Sequence, residues 1–433
     1  MMTAEIAVMN RRAAVLAADS AGTVTGWVNG KQEVRYFKGE NKVFQASLYH
    51  PVGLMTYGNA DLQRVPWELV IKHYRQSLGK TSFDNLEGYG EHLFNYIEAD
   101  QDIFPNEDRE RYFRDKVDDV ALKAFLDAVQ SPNFQSASDD ASKAAAFVSF
   151  IDQMNASVDA SPIPAPLSQG DIDAALADNV VDRAQSLDEN LKTVSWWAVL
   201  PNLASKLAEV TIKLVFKQYS KFLSSTGIVL AGYGDKEFFP HLHQYRVYGF
   251  LRRKFVYILE SSRKIGLDKP SEIVPFASTD MVDTFRTGAS PDVYSYIGVE
   301  FESAANALAE DIKVATGGAN IPGLEQMVEK HRSAFMDGWF DKAFDAHYRP
   351  LTRVVGMLPV DEMASLAETL INLESLKEKV TSPTESIGGA VDVAVITKAE
   401  GFVWIKRKHY FDLSLNPRYA ARFSAREQVG GGQ

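Results

Sequence analysis

The sequence predicts an α+β fold in which sheets are sandwiched between helices, in a chain long enough for two domains or for one domain with a large insertion. Three observations carry that prediction. Strand-like, helix-like, strand-like, helix-like and strand-like regions follow one another along the 433 residues. The hydrophobic period switches from two to 3.6 at Pro66. A sheet wound from βαβ units would alternate single strands with single helices, and this chain does not.

From Ala4 to Gly58 the runs "EIAVM", "AAVLAADS", "EVRYFKG", "NKVFQAS" and "VGLMTYG" read as short strands separated by Gly, Asn and Pro signals. Behind Pro66, Trp67, Val70, Ile71 and Tyr74 recur at i, i+3, i+4 and i+7, which predicts a helix with proline in its first turn. From about Ser82 to Ser225 the chain reads as helix and loop, divided by a Pro-rich linker, "SPIPAPLSQGD", at Ser161 to Asp171. Strand signals return in "TGIVLAGYG" (Thr226 to Gly234), "YRVYGFL" and "KFVYILES", and helical ones after about Val299. A last hairpin is expected in Ala390 to Lys408, turning at Glu400 and Gly401. The changes of pattern fall at about residues 82 and 226, and the end, 426–433, reads as a tail.

Composition removes several function classes. A net charge of −11 argues against nucleic-acid binding, which needs a basic face to displace counterions. With no cysteine there is no disulfide, thiolate catalysis or Cys-ligated zinc, which fits a reducing compartment. No run of about 18 apolar residues offers a membrane span. The expectation is a soluble, cytoplasmic protein. "HLH" at His241 to His243 lacks a third ligand at recognisable spacing and follows Pro240, so no metal or other cofactor is expected. "GGAN" at Gly317 to Asn320 reads as a turn, and neither a Gly-x-Ser-x-Gly elbow nor a Walker motif is present.

The opening "TAEIAVMNRRAAVLAADS" is similar to that of proteasome β-subunits and HslV-type peptidases, where a threonine begins the mature chain and a strand closes on "AADS". "NKVF" (Asn41 to Phe44) resembles the strand bearing that family's catalytic lysine, and "VGLMTYGNADL" (Val52 to Leu62) its "GxxxGxxAD" segment. "TGIVLAGYGD" and "IGGAVDVAVI" resemble two later strands of the same family, so the likeness covers about half the chain. It implies an αββα sandwich of the N-terminal-nucleophile hydrolase type, with its halves at 1–81 and 226–425 and a mainly helical insertion at 82–225, a region longer than the family's usual helical pair. It also implies a peptidase or amidase acting on a peptide or protein substrate through an acyl-enzyme on Thr3.

An N-terminal threonine supplies a hydroxyl nucleophile and an α-amine of pKa roughly 7.7–8.0 able to act as base. The resemblance assigns Lys42 as a cation tuning both groups, Asp19 as its carboxylate partner, and the amides around Tyr57 and Gly58 as the oxyanion hole, with Met55 and Asn59 lining the substrate pocket. For the amine to be free, Met1 and Met2 must be removed. The chain departs from the family in three places: Tyr57 replaces the usual glycine, Tyr233 a serine, and Glu385 with Ser386 an Asp-x-x-Ser pair. These last three are the expected supporting residues. The resemblance further implies a homo-oligomer, a ring or another self-assembly, with any unfoldase ATPase on a separate chain. Two alternatives stay open: a proteasome-like scaffold that binds a partner without efficient catalysis, and a non-peptide amidase on the same fold.

Overall fold

The N-terminal strands are apolar on both faces because both faces find partners. The computed structural model describes residues 3–28, 31–317, 322–381, 387–412, 414–419 and 421. β1 (Ala4–Asn10) and β2 (Ala13–Ala18) pair antiparallel with every residue buried. β3 (Ala21–Val28) and β4 (Lys31–Lys38) make a separate two-stranded ribbon, and β5 (Val43–Gln45) and β6 (Val52–Gly58) begin a second sheet. A short ladder of β7 (Asp61–Leu62) and β8 (Val65–Pro66) leads into α1 (Trp67–Leu78) and α2 (Leu86–Ala99).

Next come α3 (Asn106–Gln130), α4 (Pro132–Gln135), α5 (Asp140–Ala160), α6 (Gln169–Leu191), α7 (Leu203–Lys217) and α8 (Tyr219–Phe222). The second set of strands is β9 (Thr226–Gly232), β10 (His241–Leu251), β11 (Lys254–Lys264) and β12 (Ser271–Ala277). Helices α9 (Asp280–Thr287), α10 (Pro291–Ala315) and α11 (Leu324–Ala343) follow, then a π-turn at Phe344–Tyr348, α12 (Arg349–Val355) and α13 (Val360–Thr381). The hairpin of β13 (Asp392–Thr397) and β14 (Gly401–Lys406) turns through Glu400 and Gly401.

The fold is α+β, built on two five-stranded antiparallel sheets ordered β12-β1-β2-β13-β14 and β11-β10-β9-β6-β5. Alternation along each strand divides its side chains between two faces. Ala7, Met9, Ala14 and Leu16 of the first sheet meet Met55, Val229 and Ala231 of the second. The first sheet's other face, with Ile6, Val8, Val15 and Val393, packs on Met363, Ala367, Leu370 and Ile371 of α13. The second sheet's other face packs on α1 and α2 through Leu54, Ile228 and Leu230 against Trp67, Ile71 and Phe94. The packing order is helix, sheet, sheet, helix.

Helices α3 to α8 have a core of their own, with Phe113, Phe147, Trp196, Trp197, Leu207 and Val215, which reaches the sheet at Tyr248, Leu251 and Val256. Helix α2 lies outside that core and belongs with α1, so the helical module begins after it rather than at Ser82. The Pro-rich stretch at Ser161 to Asp171 does not separate two units: it joins α5 to α6, and its Leu167 enters the same core. Four strands were not anticipated: β3, the short β7 and β8, and β12. β12 carries Pro275 opposite Ile6, a residue that argues against a central strand and is accommodated because β12 is an edge.

Candidate active site

Since Ile6 and Val8 point to α13, the side chains of Glu5, Ala7 and Met9 point into the space between the sheets. Thr3, two residues before Glu5, shares that face, and its Oγ1 donates to Glu5 Oε2 at 3.1 Å. Asp19 follows β2, whose Ala18 lies opposite Glu5. Lys42 precedes β5, and its carbonyl accepts from the Thr56 amide at 2.9 Å. Lys42 Nζ stands 2.6 Å from Asp19 Oδ1 and 3.2 Å from Glu5 Oε1. The structure thus brings Thr3, Asp19 and Lys42 together around one additional carboxylate. All four side chains are buried, Thr3 being 2% exposed.

Asp19 is held by backbone donors. Its Oδ1 accepts from the Ala4 amide at 3.2 Å, and its Oδ2 from the amides of Ala21 at 3.3 Å and Gly388 at 2.8 Å. The "IGGAV" segment therefore reaches the site through its backbone. Its Gly388 and Gly389 have φ of 141° and 87°, and a Cβ on Gly389 would lie 2.5 Å from Ser20 Oγ. Thr3 is fixed from the other side: its carbonyl accepts from the Ser278 amide at 2.9 Å, and Glu374 of α13 accepts from the Ser278 hydroxyl and, at 2.9 Å, from the Met281 amide.

Burial pushes the Glu5 carboxyl up to about 7, reinforced by Asp19 and opposed by Lys42 and the Thr3 hydrogen bond. Burial alone would lower Lys42, but the charges of Glu5 and Asp19 outweigh it and hold the ammonium above its ordinary value. Lys42 is a fixed cation. Glu5 Oε1, although within ion-pair range of it, is a buried acceptor without a hydrogen-bond partner.

The remaining expected residues separate. Met55 lies between the sheets, paired across the ladders with Val43 and Val229. Tyr57 occupies the same layer, stacks on Phe276, accepts from Gln244 at 2.6 Å and donates to Glu260 at 3.3 Å. Strand amides alternate in direction, so with Thr56 donating to Lys42 the Tyr57 amide faces β9 and the Gly58 amide returns to the side of Lys42. Asn59 turns the chain after β6, its side chain donating to the Asp61 carbonyl. Tyr233 does not join the site: its hydroxyl donates to the carbonyl of Arg12, beyond the far end of β1, about 20 Å of strand away from Thr3. Glu385 and Ser386 lie outside the described residues.

His241 and His243 stand on β10 rather than in a loop, with His241 paired to Glu237. No group of three metal-ligating side chains occurs among the described residues.

Glu5 was not anticipated. The signal was available, since a charged residue on the inward face of an otherwise apolar strand, two positions from a threonine, has to be paired. No protein-family model matches the chain, and no curated protein matches it in sequence.

Proposed function

We propose that the chain is a threonine-type N-terminal-nucleophile hydrolase, with the αββα sandwich of that class, cleaving peptide or other amide bonds through an acyl-enzyme on Thr3. The observation that supports this most is the buried set of Thr3, Glu5, Asp19 and Lys42 at the start of β1, between the sheets. A hydroxyl there attacks the carbonyl carbon. Lys42, which stays protonated, stabilises the developing alkoxide by charge, while Asp19, pinned by three amides, holds the lysine in place. The Gly58 amide is the donor for the oxyanion.

A peptide β-lactone, which acylates a hydroxyl and needs no free α-amine to form its adduct, tests the reading. The expected result is a single adduct by intact mass, mapped to Thr3 and absent from Thr3→Ala. A folded wild-type protein that stays unlabelled overturns it. Burial of Thr3 and the Tyr57 side chain, standing where the family usually has glycine, favour a second reading as a binding scaffold. Unlabelled wild-type protein is what that reading expects.

A further inference from the structure

We propose that Glu5 is the general base of the site, taking the Thr3 hydroxyl proton directly. This rests on the reading of Thr3 as nucleophile. The geometry supplies each part: Thr3 Oγ1 already donates to Glu5 Oε2 at 3.1 Å, within the reach required of a base. The second oxygen, Oε1, lies 3.2 Å from Lys42 Nζ, so the charge of the carboxylate is balanced while Oε2 faces the hydroxyl. Lys42 and Asp19 are the charged groups facing Glu5, with Glu40 acting on both from the loop before β5. Opposite Glu5 on β12 stands the apolar Phe276. Lys42 is disqualified as base because two carboxylates hold it protonated. A carboxyl raised by burial to about 7 is matched to proton transfer near neutral pH.

The step balances. As Oγ bonds to the substrate carbon, the carbonyl π pair moves to oxygen and the hydroxyl proton passes to Glu5. The tetrahedral intermediate collapses, the C–N bond breaks, and the leaving amine takes that proton from Glu5. Water then loses a proton to Glu5 as it attacks the ester, and Oγ leaves with the proton returned. The α-amine of Thr3 has no part in this sequence, so attachment of Met2 does not abolish activation of the hydroxyl.

The test is the pH dependence of β-lactone acylation, followed by intact mass from pH 5 to 9. Wild type should rise with a midpoint near 7, and Glu5→Gln should fall at least about 100-fold and lose that limb. Glu5→Asp should restore part of the rate, and a Thr3 chain still carrying Met2 should keep the limb. Where Glu5→Gln does not fold, the midpoint in wild type decides: one near 8, present only when the amine is free, assigns the base to the amine and overturns the proposal. Acylation unchanged in folded Glu5→Gln also overturns it while leaving the nucleophile intact. A wild-type protein that is never acylated removes nucleophile and base together.

Discussion

At the scale of single residues, Glu5 makes the stability of the protein depend on pH in a defined direction. Its folded pKa is raised from 4.5 to about 7, so between those values the folded state binds more protons than the unfolded state. Stability is then fully present below about 4.5 and falls as pH rises towards 7, by roughly 3 kcal/mol. Glutamine at this position keeps the shape and cannot titrate. Urea titrations at pH 5 and pH 7 on wild type and Glu5→Gln should show about 2 kcal/mol of that loss as a difference between the two proteins, which cancels the other titrating groups. Parallel stabilities would mean that Glu5 is ionised across the range. Thr3, Asp19 and Lys42 were legible in the sequence because motifs carry them in order. Glu5 was hidden because its strand neighbours Ala4, Ile6 and Ala7 made the run look like uninterrupted core.

At the scale of elements, the departure at Tyr57 is matched by its neighbour. Across the ladder from Tyr57 stands Gly227, and a Cβ there would lie within 2.0 Å of the tyrosine ring. The ring fills the place of a side chain. Gly227→Ala should therefore force the ring out of its stack on Phe276 and cost about 1–3 kcal/mol, measured by urea unfolding. Combining it with Tyr57→Gly should give a double variant more stable than the sum of the single losses allows. Simple additivity would show that the ring and Gly227 do not interlock. Elements with an uninterrupted period, such as β1, β6, β9 and α1, were readable. β12 was not, because Pro275 carries an edge-strand signal that sequence alone cannot tell from a loop. Tyr233 was misplaced for a related reason, since its position in the motif says nothing about which end of the sheet it occupies.

At the scale of the molecule, two helical regions are stabilised differently. Helices α3 to α7 share a core containing Phe113, Phe147, Trp196, Trp197, Leu207 and Val215. Helices α10 and α11 pack mainly on each other, through the stacked pairs Phe301–Phe335 and Tyr294–Trp339, and bury only Ala309 and Ala343. Tyr296, Val299, Leu308 and Val314 remain more than 60% exposed. Sequence periodicity reports that a helix has an apolar face, and it cannot report whether the chain supplies anything to cover that face. Local opening free energy follows buried contact. In hydrogen exchange followed by mass spectrometry, the amides of α10 and α11 should therefore exchange well before those of α5 and α7, at a rate independent of protein concentration for a monomer. A self-assembly that covers these helices would protect them progressively as concentration rises. Protection equal to that of α7 at the lowest concentration would show that the two-helix unit is stable by itself, and the link between buried contact and local stability would fail for this region.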